Sequence, residues 1–498
     1  MKKYFLLFLL TIVALSCNKT IEVKGTITGG SPLERIEVIE TSGAATLPLL
    51  NVGLDPKGNF QGAFEADKHG LYVLTYAGRN MMVYLEPGQK LELKASSANF
   101  PEDVQFIGDA KNNNDFMKSA QLAFETYASK INMEQLLGKK EDAFIKEFNA
   151  ITEQTDKIYE ENAKKYNPSS KALKYKKRET QARLMGLVDG YEQMHGQITT
   201  NPQFKVSQNF KDFRDNLMKD NDEMIRDFPM YREYQLNKLN GDFQKYMSSQ
   251  PQAKEQPLIS KLFGEYLKTR KDLSQTAKDY FFAYIISQSD LNFMNSERYD
   301  EVTAQIEKHV SNASIKSDLK HLQKVLMGEK AGTQFSLNVL NVKNEKIELG
   351  KKADRPTLIV FYASWNPNVA LTALPQLKDF TSKAGDKLQY TFINLDDTKE
   401  QFNKTSTALF QGIAGTHYWL EGGINSKRAG ELGLYGFKLP SYLLLDKEGK
   451  LVARPFYNLN DPEFATAVEK VSGVTLPQQP VMMPPQDSMA VPADSLSK

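Results

Sequence analysis

The sequence has very little cysteine, with Cys17 as the one residue of this type among 498. The chain can therefore form no intrachain disulfide, and zinc or iron–sulfur sites built on several cysteines are excluded. Histidine is scarce as well, and no two of the five lie three or four positions apart: His69, His195, His309, His321 and His417. Neither sign of charge dominates, since 63 basic residues face 61 acidic ones. We therefore expect no metal, no cofactor and no nucleic-acid partner.

The apolar run at the amino terminus is too short to cross a membrane comfortably. It follows Lys2 and Lys3 and covers the twelve residues 4–15, whereas a spanning helix needs about 20. A positive start, a short apolar core and small residues before a cut are typical of a secretory signal. Cys17 directly follows the predicted cut, and with it the segment resembles a bacterial lipoprotein signal.

In that family the cysteine becomes the lipidated first residue of the mature protein. The resemblance therefore implies a signal peptide over 1–16, with the lipid anchor at Cys17 and a tether as far as residue 19. The family usually has Leu where this chain has Ala14, so an ordinary secretory signal followed by a free thiol stays open. Asn18 is not acidic, which by the same resemblance implies the outer membrane, with either face of it possible.

Residues 20–107 show the alternation that is typical of β-strands. Ile21, Val23 and Ile27 share one face, and turn residues such as those at 55–59 and 86–89 separate the apolar segments. The pattern predicts a small antiparallel sandwich or barrel. It resembles the uncharacterised β-domain that often precedes thioredoxin domains in lipoproteins of the Bacteroidetes type.

Residues 108–330 change to a helical spacing of apolar residues. Phe144, Phe148 and Ile151 form one such stripe, and similar stripes later in the segment predict six to eight helices. Five basic residues are predicted to lie on a solvated helix face, with contact to anionic lipid head groups as the alternative: Lys171, Lys174, Lys176, Lys177 and Arg178.

Residues 331–475 alternate predicted strands with predicted helices. The run 357–362 is almost wholly apolar, as expected for a buried parallel strand, and 388–395 is predicted to be the next strand. Helices are predicted over 367–384 and 399–410. Asp461 followed by Pro462 predicts the start of a last helix, since proline suits the first helical position.

Two motifs in this segment carry a family resemblance. The first runs from Phe361 to Asn368 and reads FYASWNPN, and the second is the Lys438-Leu439-Pro440-Ser441 segment just before a predicted strand. In order and separation they resemble the redox motif and the cis-proline loop of thioredoxin-fold proteins. The resemblance is greatest to envelope proteins tethered for cytochrome c maturation. It covers about 145 of the 498 residues and implies a thioredoxin fold.

The first motif departs from the family at its chemistry. The family reads Phe-Trp-Ala-Thr-Trp-Cys-x-x-Cys, and the two cysteine positions are held here by Asn366 and Val369. The family reaction needs a thiolate that attacks a disulfide and a second thiol that resolves the intermediate. Neither side chain can do this, so we expect no catalytic residue and no thiol–disulfide exchange. Asn366 and Pro367 do suit the N-cap and first position of a helix.

Two roles for this loop stay open. It is either a helix cap alone or part of a retained peptide-binding groove, in which backbone beside the cis-proline pairs with an extended peptide. The candidate peptide-binding residues are Trp365, Asn366, Pro367, Asn368, Leu439 and Pro440. Asp396 and Asp397 follow a strand end, where we expect a loop turn and not a catalytic pair.

The fold class expected from these patterns is multi-domain α+β and α/β. It comprises a small antiparallel β-sandwich (20–107), a helical middle region (108–330), a C-terminal thioredoxin fold (331–475) and a disordered, Pro-rich tail (476–498). The predicted function is that of a lipid-anchored envelope protein with a redox-inactive domain that binds an unidentified protein or peptide, or acts as a scaffold. One alternative is an oxidoreductase-family protein acting in envelope redox homeostasis or cytochrome c maturation with thiols from a partner. Another is a structural envelope component assembled through the helical region.

Overall fold

A computed structural model of the protein describes residues 19–219, 221–251 and 256–476. The predicted signal peptide, the predicted lipidation site Cys17 and the predicted tail from residue 477 onward lie outside these described residues. The described chain forms two compact units. The first reaches to Ser289 and includes Gln305–Leu319, and the second comprises Asp290–Ala304 and the chain from Lys320 onward. The domain boundaries at 107/108 and 330/331 stay predictions.

The first unit begins with a sandwich of two four-stranded sheets. Its strands are β1 (Thr20–Thr28), β2 (Arg35–Glu40), β3 (Pro48–Gly53), β4 (Asn59–Glu65), β5 (Gly70–Tyr76), β6 (Arg79–Leu85), β7 (Lys90–Ser96) and β8 (Gln105–Ile107). One sheet has the order β4-β1-β7-β8 and the other β3-β2-β5-β6. Ile21, Val23 and Ile27 alternate along β1 and are all fully buried in the core between the sheets.

The sandwich is not purely antiparallel, which corrects the sequence-based expectation. β1 and β7 lie side by side and run parallel, with Glu22 opposite Lys90 and Thr28 opposite Ser96. A parallel pair cannot be joined by a hairpin and needs a crossover connection. Here the chain forms the other sheet, β2, β3, β5 and β6, between these two strands.

The helical region holds more helices than the six to eight expected, with twelve α-helices within its described residues. Several are one or two turns long, too short to show a stripe of apolar residues. The helices are α1 (Lys111–Ala128), α2 (Met133–Leu137), α3 (Glu141–Tyr166), α4 (Ser170–Ile198), α5 (Gln208–Leu217), α6 (Asn221–Asp227), α7 (Pro229–Lys238), α8 (Asn240–Ser248), α9 (Ile259–Thr269), α10 (Gln275–Ser289), α11 (Tyr299–His309) and α12 (Ala313–Met327).

Helix α1 covers the edge of one sheet of the sandwich. The side-chain oxygen of Asn114 accepts a 2.8 Å bond from the backbone N–H of Tyr84, and its nitrogen donates a 2.9 Å bond to the carbonyl of the same residue. Tyr84 lies on β6, the edge strand, whose backbone groups would otherwise lack a partner. The buried amide therefore ties the first helix to the sandwich.

The basic cluster on α4 is not a solvated face throughout, which corrects the prediction. Lys171 and Lys174 are exposed, but Lys176 is only 3% exposed. The Lys176 ammonium lies 2.8 Å from a carboxylate oxygen of Glu179, one turn further along the helix. The spacing of charges along a helix does not show whether another element covers that face, and here one does.

The second unit is built on a six-stranded mixed sheet of order β10-β9-β13-β12-β11-β14. Its central strands β11, β12 and β13 are parallel, and β14 runs antiparallel to β11. The elements are β9 (Leu337–Leu340), β10 (Lys346–Leu349), β11 (Thr357–Tyr362), α13 (Leu374–Ala384), β12 (Gln389–Asn394), α14 (Lys399–Leu409), β13 (Thr416–Trp419), α15 (Lys427–Glu431), β14 (Ser441–Leu445) and α16 (Pro462–Ser472).

Both faces of this sheet are buried. Leu358 and Val360 on β11 pack into one apolar cluster, whereas Ile359 and Phe361 pack into a second cluster on the opposite face. This explains the unbroken apolar run of the strand. Three parallel strands, an antiparallel β14 and flanking helices make this the expected thioredoxin fold.

No helix among the described residues is both long and apolar enough to span a membrane.

Candidate functional site

The candidate site lies where β11 ends and the chain turns into its next helix. Residues 363–366 form the turn, and the Leu439–Pro440 peptide bond, which precedes β14, is cis. Because β11 and β14 are neighbours in the sheet, the turn and the cis-proline loop meet at one sheet end. The two sequence motifs therefore come together as the family resemblance implies.

Asn366 joins these two segments with its side chain. Its carboxamide nitrogen donates to the carbonyl oxygens of Leu439 at 3.1 Å and Gly436 at 3.3 Å. Its carboxamide oxygen accepts a 3.0 Å bond from the backbone N–H of Asn368, as an N-cap residue does. This one buried side chain thus forms hydrogen bonds with backbone groups both at the helix start and in the loop before the cis-proline.

Asp396 is fully buried and stabilises the same turn by hydrogen bonds. One of its carboxylate oxygens accepts a 2.7 Å bond from the backbone N–H of Ser364, and the other accepts a 2.8 Å bond from the amide of Asn394. Its backbone carbonyl accepts a 2.9 Å bond from the Trp419 indole. Asp396 therefore positions the loop, a role that its place in the sequence alone did not indicate.

Most of the six candidate peptide-binding residues are covered. Trp365, Asn366, Leu439 and Pro440 are buried, whereas Pro367 and Asn368 are exposed. The Leu439 N–H also donates to the Gly436 carbonyl at 3.3 Å, so both backbone groups of Leu439 are paired, one within the loop and one with Asn366. Among the six candidates, the side chains open to a partner are Pro367 and Asn368, at the helix start.

The helix that follows the turn begins irregularly. Val369–Ala373 is a π-helical turn, and α13 begins only at Leu374, so the helix expected over 367–384 is interrupted. Pro375 has no N–H to donate four residues back, which removes one α-helical bond at this place. Leu371 lies on the π-turn with 76% of its surface exposed. Such turns are frequent at functional sites.

Aromatic and cationic side chains border the cis-proline loop. Phe437 is 58% exposed and stacks on Tyr435 with ring centroids 5.8 Å apart. The Lys438 ammonium lies 4.5 Å from the centroid of the Tyr457 ring. Burial, and then the nearby Arg454, lower the pKa of Lys438. The surface beside the turn therefore combines an exposed ring with a partly desolvated cation.

The arrangement lacks the groups that thioredoxin chemistry requires. The first sulfur position holds a carboxamide engaged in three hydrogen bonds, and the second holds Val369, which is 1% exposed. Within the described ranges, no three His, Cys, Asp or Glu side chains are grouped as a metal site would need. The residues of the turn can cap, bridge and present a surface, but they offer no thiol.

No protein-family model and no curated protein matches this sequence. Among solved structures, it is similar to a thiol-disulfide oxidoreductase from Bacteroides fragilis, with 23% identity over 28% of this chain and 98% of that chain and a TM-score of 0.23. It is also similar to the thioredoxin domain of a thiol-disulfide oxidoreductase from Bacteroides vulgatus (16% identity, 29% and 99% coverage, TM-score 0.22). A thioredoxin-like protein from Bacteroides caccae matches 39% of this chain and 73% of its own length, at 16% identity and a TM-score of 0.29.

Proposed function

We propose that this protein is a lipid-anchored envelope protein whose thioredoxin-like domain binds a protein or peptide partner and does not exchange thiols. The observation that carries the proposal is the place of Asn366. Its carboxamide stands where the family has its attacking sulfur, and it bonds the carbonyl of Leu439 and the N–H of Asn368. A side chain bonded in this way stabilises the arrangement of the turn and the cis-proline loop, although the cysteines needed for thiol exchange are missing.

The partner surface that we propose consists of Pro367, Asn368, Leu371 and Phe437, and we call it the turn surface. Pro367, Asn368 and Leu371 follow Asn366 in the chain. Phe437 follows Gly436, whose carbonyl oxygen accepts a hydrogen bond from Asn366. Leu371 and Phe437 are 76% and 58% exposed, and aromatic residues such as phenylalanine are enriched in protein interfaces. Trp365, Leu439 and Pro440 would shape this surface from beneath.

The first test is chemical. The chain lacking residues 1–17 is assayed for dithiol-dependent reduction of insulin, with an active thioredoxin as the positive control. We expect no turnover above the rate of the dithiol alone. Measurable turnover by the purified chain would refute the redox-inactive assignment and favour the oxidoreductase alternative.

The second test concerns the partner. A photo-crosslinking amino acid replaces Asn368 in the turn surface or, as control, Lys404 on α14, whose side chain is 72% exposed. In intact cells we expect a discrete crosslinked product from position 368 that Phe437→Asp abolishes, and none from position 404. Absence of any crosslinked product from position 368 would contradict binding at this surface.

The anchor is tested separately. Metabolic labelling with an alkyne fatty acid should mark the wild-type chain and leave Cys17→Ser unlabelled. Labelling that survives Cys17→Ser would contradict acylation at this residue. An unlabelled wild-type chain would favour the ordinary secretory signal.

A further inference from the structure

A buried group of charges in the first unit has no part in the function proposed above. Lys176 on α4 is 3% exposed and donates to Gln121 at 2.6 Å and to Glu179 at 2.8 Å. Arg183 donates a 2.9 Å bond to the other carboxylate oxygen of Glu179. Moving each ion out of water costs several kcal/mol, and well-packed apolar residues often replace such groups without loss of stability. Stability alone therefore does not explain the group.

These charges line one end of a cavity of about 470 Å³ in the first unit. The volume lies within the range of roughly 300–1,000 Å³ found for ligand pockets. The remaining wall is largely apolar and comes from the sandwich and α1: Leu71, Met81, Met82, Phe106 and Met117. Methionine side chains are flexible and polarisable, so such a wall adapts to apolar ligands of different shape.

The hydrogen bonds show which sign of charge the polar end can accept. Both carboxylate oxygens of Glu179 are already bonded, one by Lys176 and one by Arg183. The ammonium has three N–H groups, and two have acceptors among the described residues; the guanidinium has five, one of which bonds Glu179. Most N–H groups of the two cations therefore have no acceptor within this group, whereas both oxygens of its one carboxylate already accept a bond from a cation.

The charges that line the cavity also favour a negatively charged group. Lys176 and Arg183 outnumber Glu179, and the two exposed charges at the rim, Lys118 and Glu102, have opposite signs. Burial would raise the pKa of Glu179, but Lys176 and Arg183 hold it below its usual range, so the carboxylate stays ionised. Burial also lowers the pKa of Lys176, against the opposing effect of Glu179. The cavity lining therefore combines an excess of basic over acidic groups with largely apolar side chains.

We propose that this cavity binds a small amphipathic carboxylate. Its apolar body lies against the methionine-rich wall, and its carboxylate accepts hydrogen bonds from Lys176 and Arg183. The inference is independent of the thioredoxin-like domain, because every residue involved belongs to the first unit.

The probe is decanoate, titrated calorimetrically into the chain lacking residues 1–17, below its micelle concentration. Decanol and decylammonium are the neutral and cationic comparisons. Charge-assisted hydrogen bonds predict that decanoate binds about 10- to 100-fold more tightly than decanol. Equal affinity for the alcohol, tighter binding of the cation, or no binding of decanoate at millimolar concentration would overturn the proposal.

Two variants locate the site. Lys176→Met removes the charge and keeps an unbranched side chain that is one atom shorter, and we expect the Kd for decanoate to rise about tenfold or more. Lys177→Met is the matched control, because Lys177 follows on the same helix but pairs with Glu160 at 2.6 Å outside the cavity. Equal weakening by both variants would contradict the site.

A third variant keeps the test decisive if Lys176→Met unfolds. Met82 is 50% exposed at the cavity, so Met82→Trp can fill the opening without disturbing the core. We expect loss of decanoate binding with unchanged circular dichroism. Full binding by a folded Met82→Trp chain would place the ligand elsewhere.

Discussion

The carboxamide nitrogen of Asn366 lies 3.1 Å from the carbonyl oxygen of Leu439, the residue before the cis-proline. In strand addition an extended peptide pairs with backbone groups of this kind. Here the chain's own side chain takes the place of the peptide at that carbonyl. Asparagine at position 366 therefore limits which part of the surface a partner can use.

Because Asn366 bridges the two segments, we expect its substitutions to lower the stability of this unit by different amounts. Asn366→Ala removes the N-cap and two donors and should lower the free energy of unfolding of this unit by about 1–3 kcal/mol. Asn366→Asp keeps the cap acceptor but turns a second oxygen toward the Leu439 and Gly436 carbonyls, so we expect a larger loss than for Ala. Tryptophan fluorescence measures this unit alone, because both tryptophans, Trp365 and Trp419, lie in it. Asp as stable as Asn would contradict the bridge.

Introducing cysteine at positions 366 and 369 should confer some thiol–disulfide exchange. Positions 366 and 369 are one helical turn apart, with the Val369 N–H 3.1 Å from the Asn366 carbonyl, and this spacing suits a disulfide. In the chain lacking residues 1–17, Asn366→Cys with Val369→Cys should form a disulfide and reduce insulin faster than wild type. Each single cysteine variant is the control and should stay inactive. A folded double variant whose thiols do not oxidise would contradict the spacing.

Asp396 should matter for the loop far more than its neighbour. Asp396→Asn replaces one of the two acceptor oxygens by an amide donor, which then faces either the Asn394 amide or the Ser364 N–H. We expect this to cost about 1–3 kcal/mol in denaturant unfolding followed by tryptophan fluorescence. Asp397→Asn, at the next and partly exposed position, is the control and should cost less. Equal effects would mean that the buried carboxylate does not hold the loop.

Two glycines in the first unit should respond to alanine with opposite signs. A Cβ on Gly264 would lie 2.5 Å from the His309 ring, so Gly264→Ala should destabilise this unit by about 1–3 kcal/mol. A Cβ on Gly186 in α4 would meet nothing within 4 Å, and Gly186→Ala should stabilise by about 0.5–1 kcal/mol. Helical circular dichroism in denaturant measures both. A neutral Gly264→Ala would contradict the close packing of α9 on His309.

His309 should make the first unit sensitive to acid. Burial, and then the nearby Lys268, lower the pKa of His309 to about 4 from its ordinary value of 6.5. Between these values the unfolded chain binds a proton that the native chain does not, so stability rises with pH across this window and is lost as pH falls toward 4. His309→Gln should flatten that part of the stability profile, measured by helical circular dichroism. An unchanged slope would mean that His309 is not buried in its neutral form.

Local patterns in the sequence predicted much of the second unit. The strand expected at 357–362 coincides with β11, because burial on both faces leaves an unbroken apolar run. The last helix starts as expected, with Asp461 accepting from the Glu463 N–H and Pro462 in the first turn. Asn366 is a helix cap, as its residue type indicated.

What the sequence did not reveal depends on contacts between distant residues. The second role of Asn366 joins it to Leu439, 73 positions away. Lys176 carries the same residue type as Lys174, and only the packing of α1 and the sandwich separates the buried one from the exposed one. The parallel pairing of β1 with β7 likewise follows from the path of the chain between them, which alternation within a strand does not encode.

The central position of β1 has a mechanical consequence. β1 starts at Thr20, three residues after Cys17, and an extended chain of that length reaches roughly 10 Å. With Cys17 acylated, the sandwich would rest almost against the lipid head groups. β1 is hydrogen-bonded to β4 on one side and β7 on the other. A partner that pulls the protein away from the membrane would thus apply a shear force along the hydrogen bonds on both sides of β1. In this geometry many hydrogen bonds share the force at once.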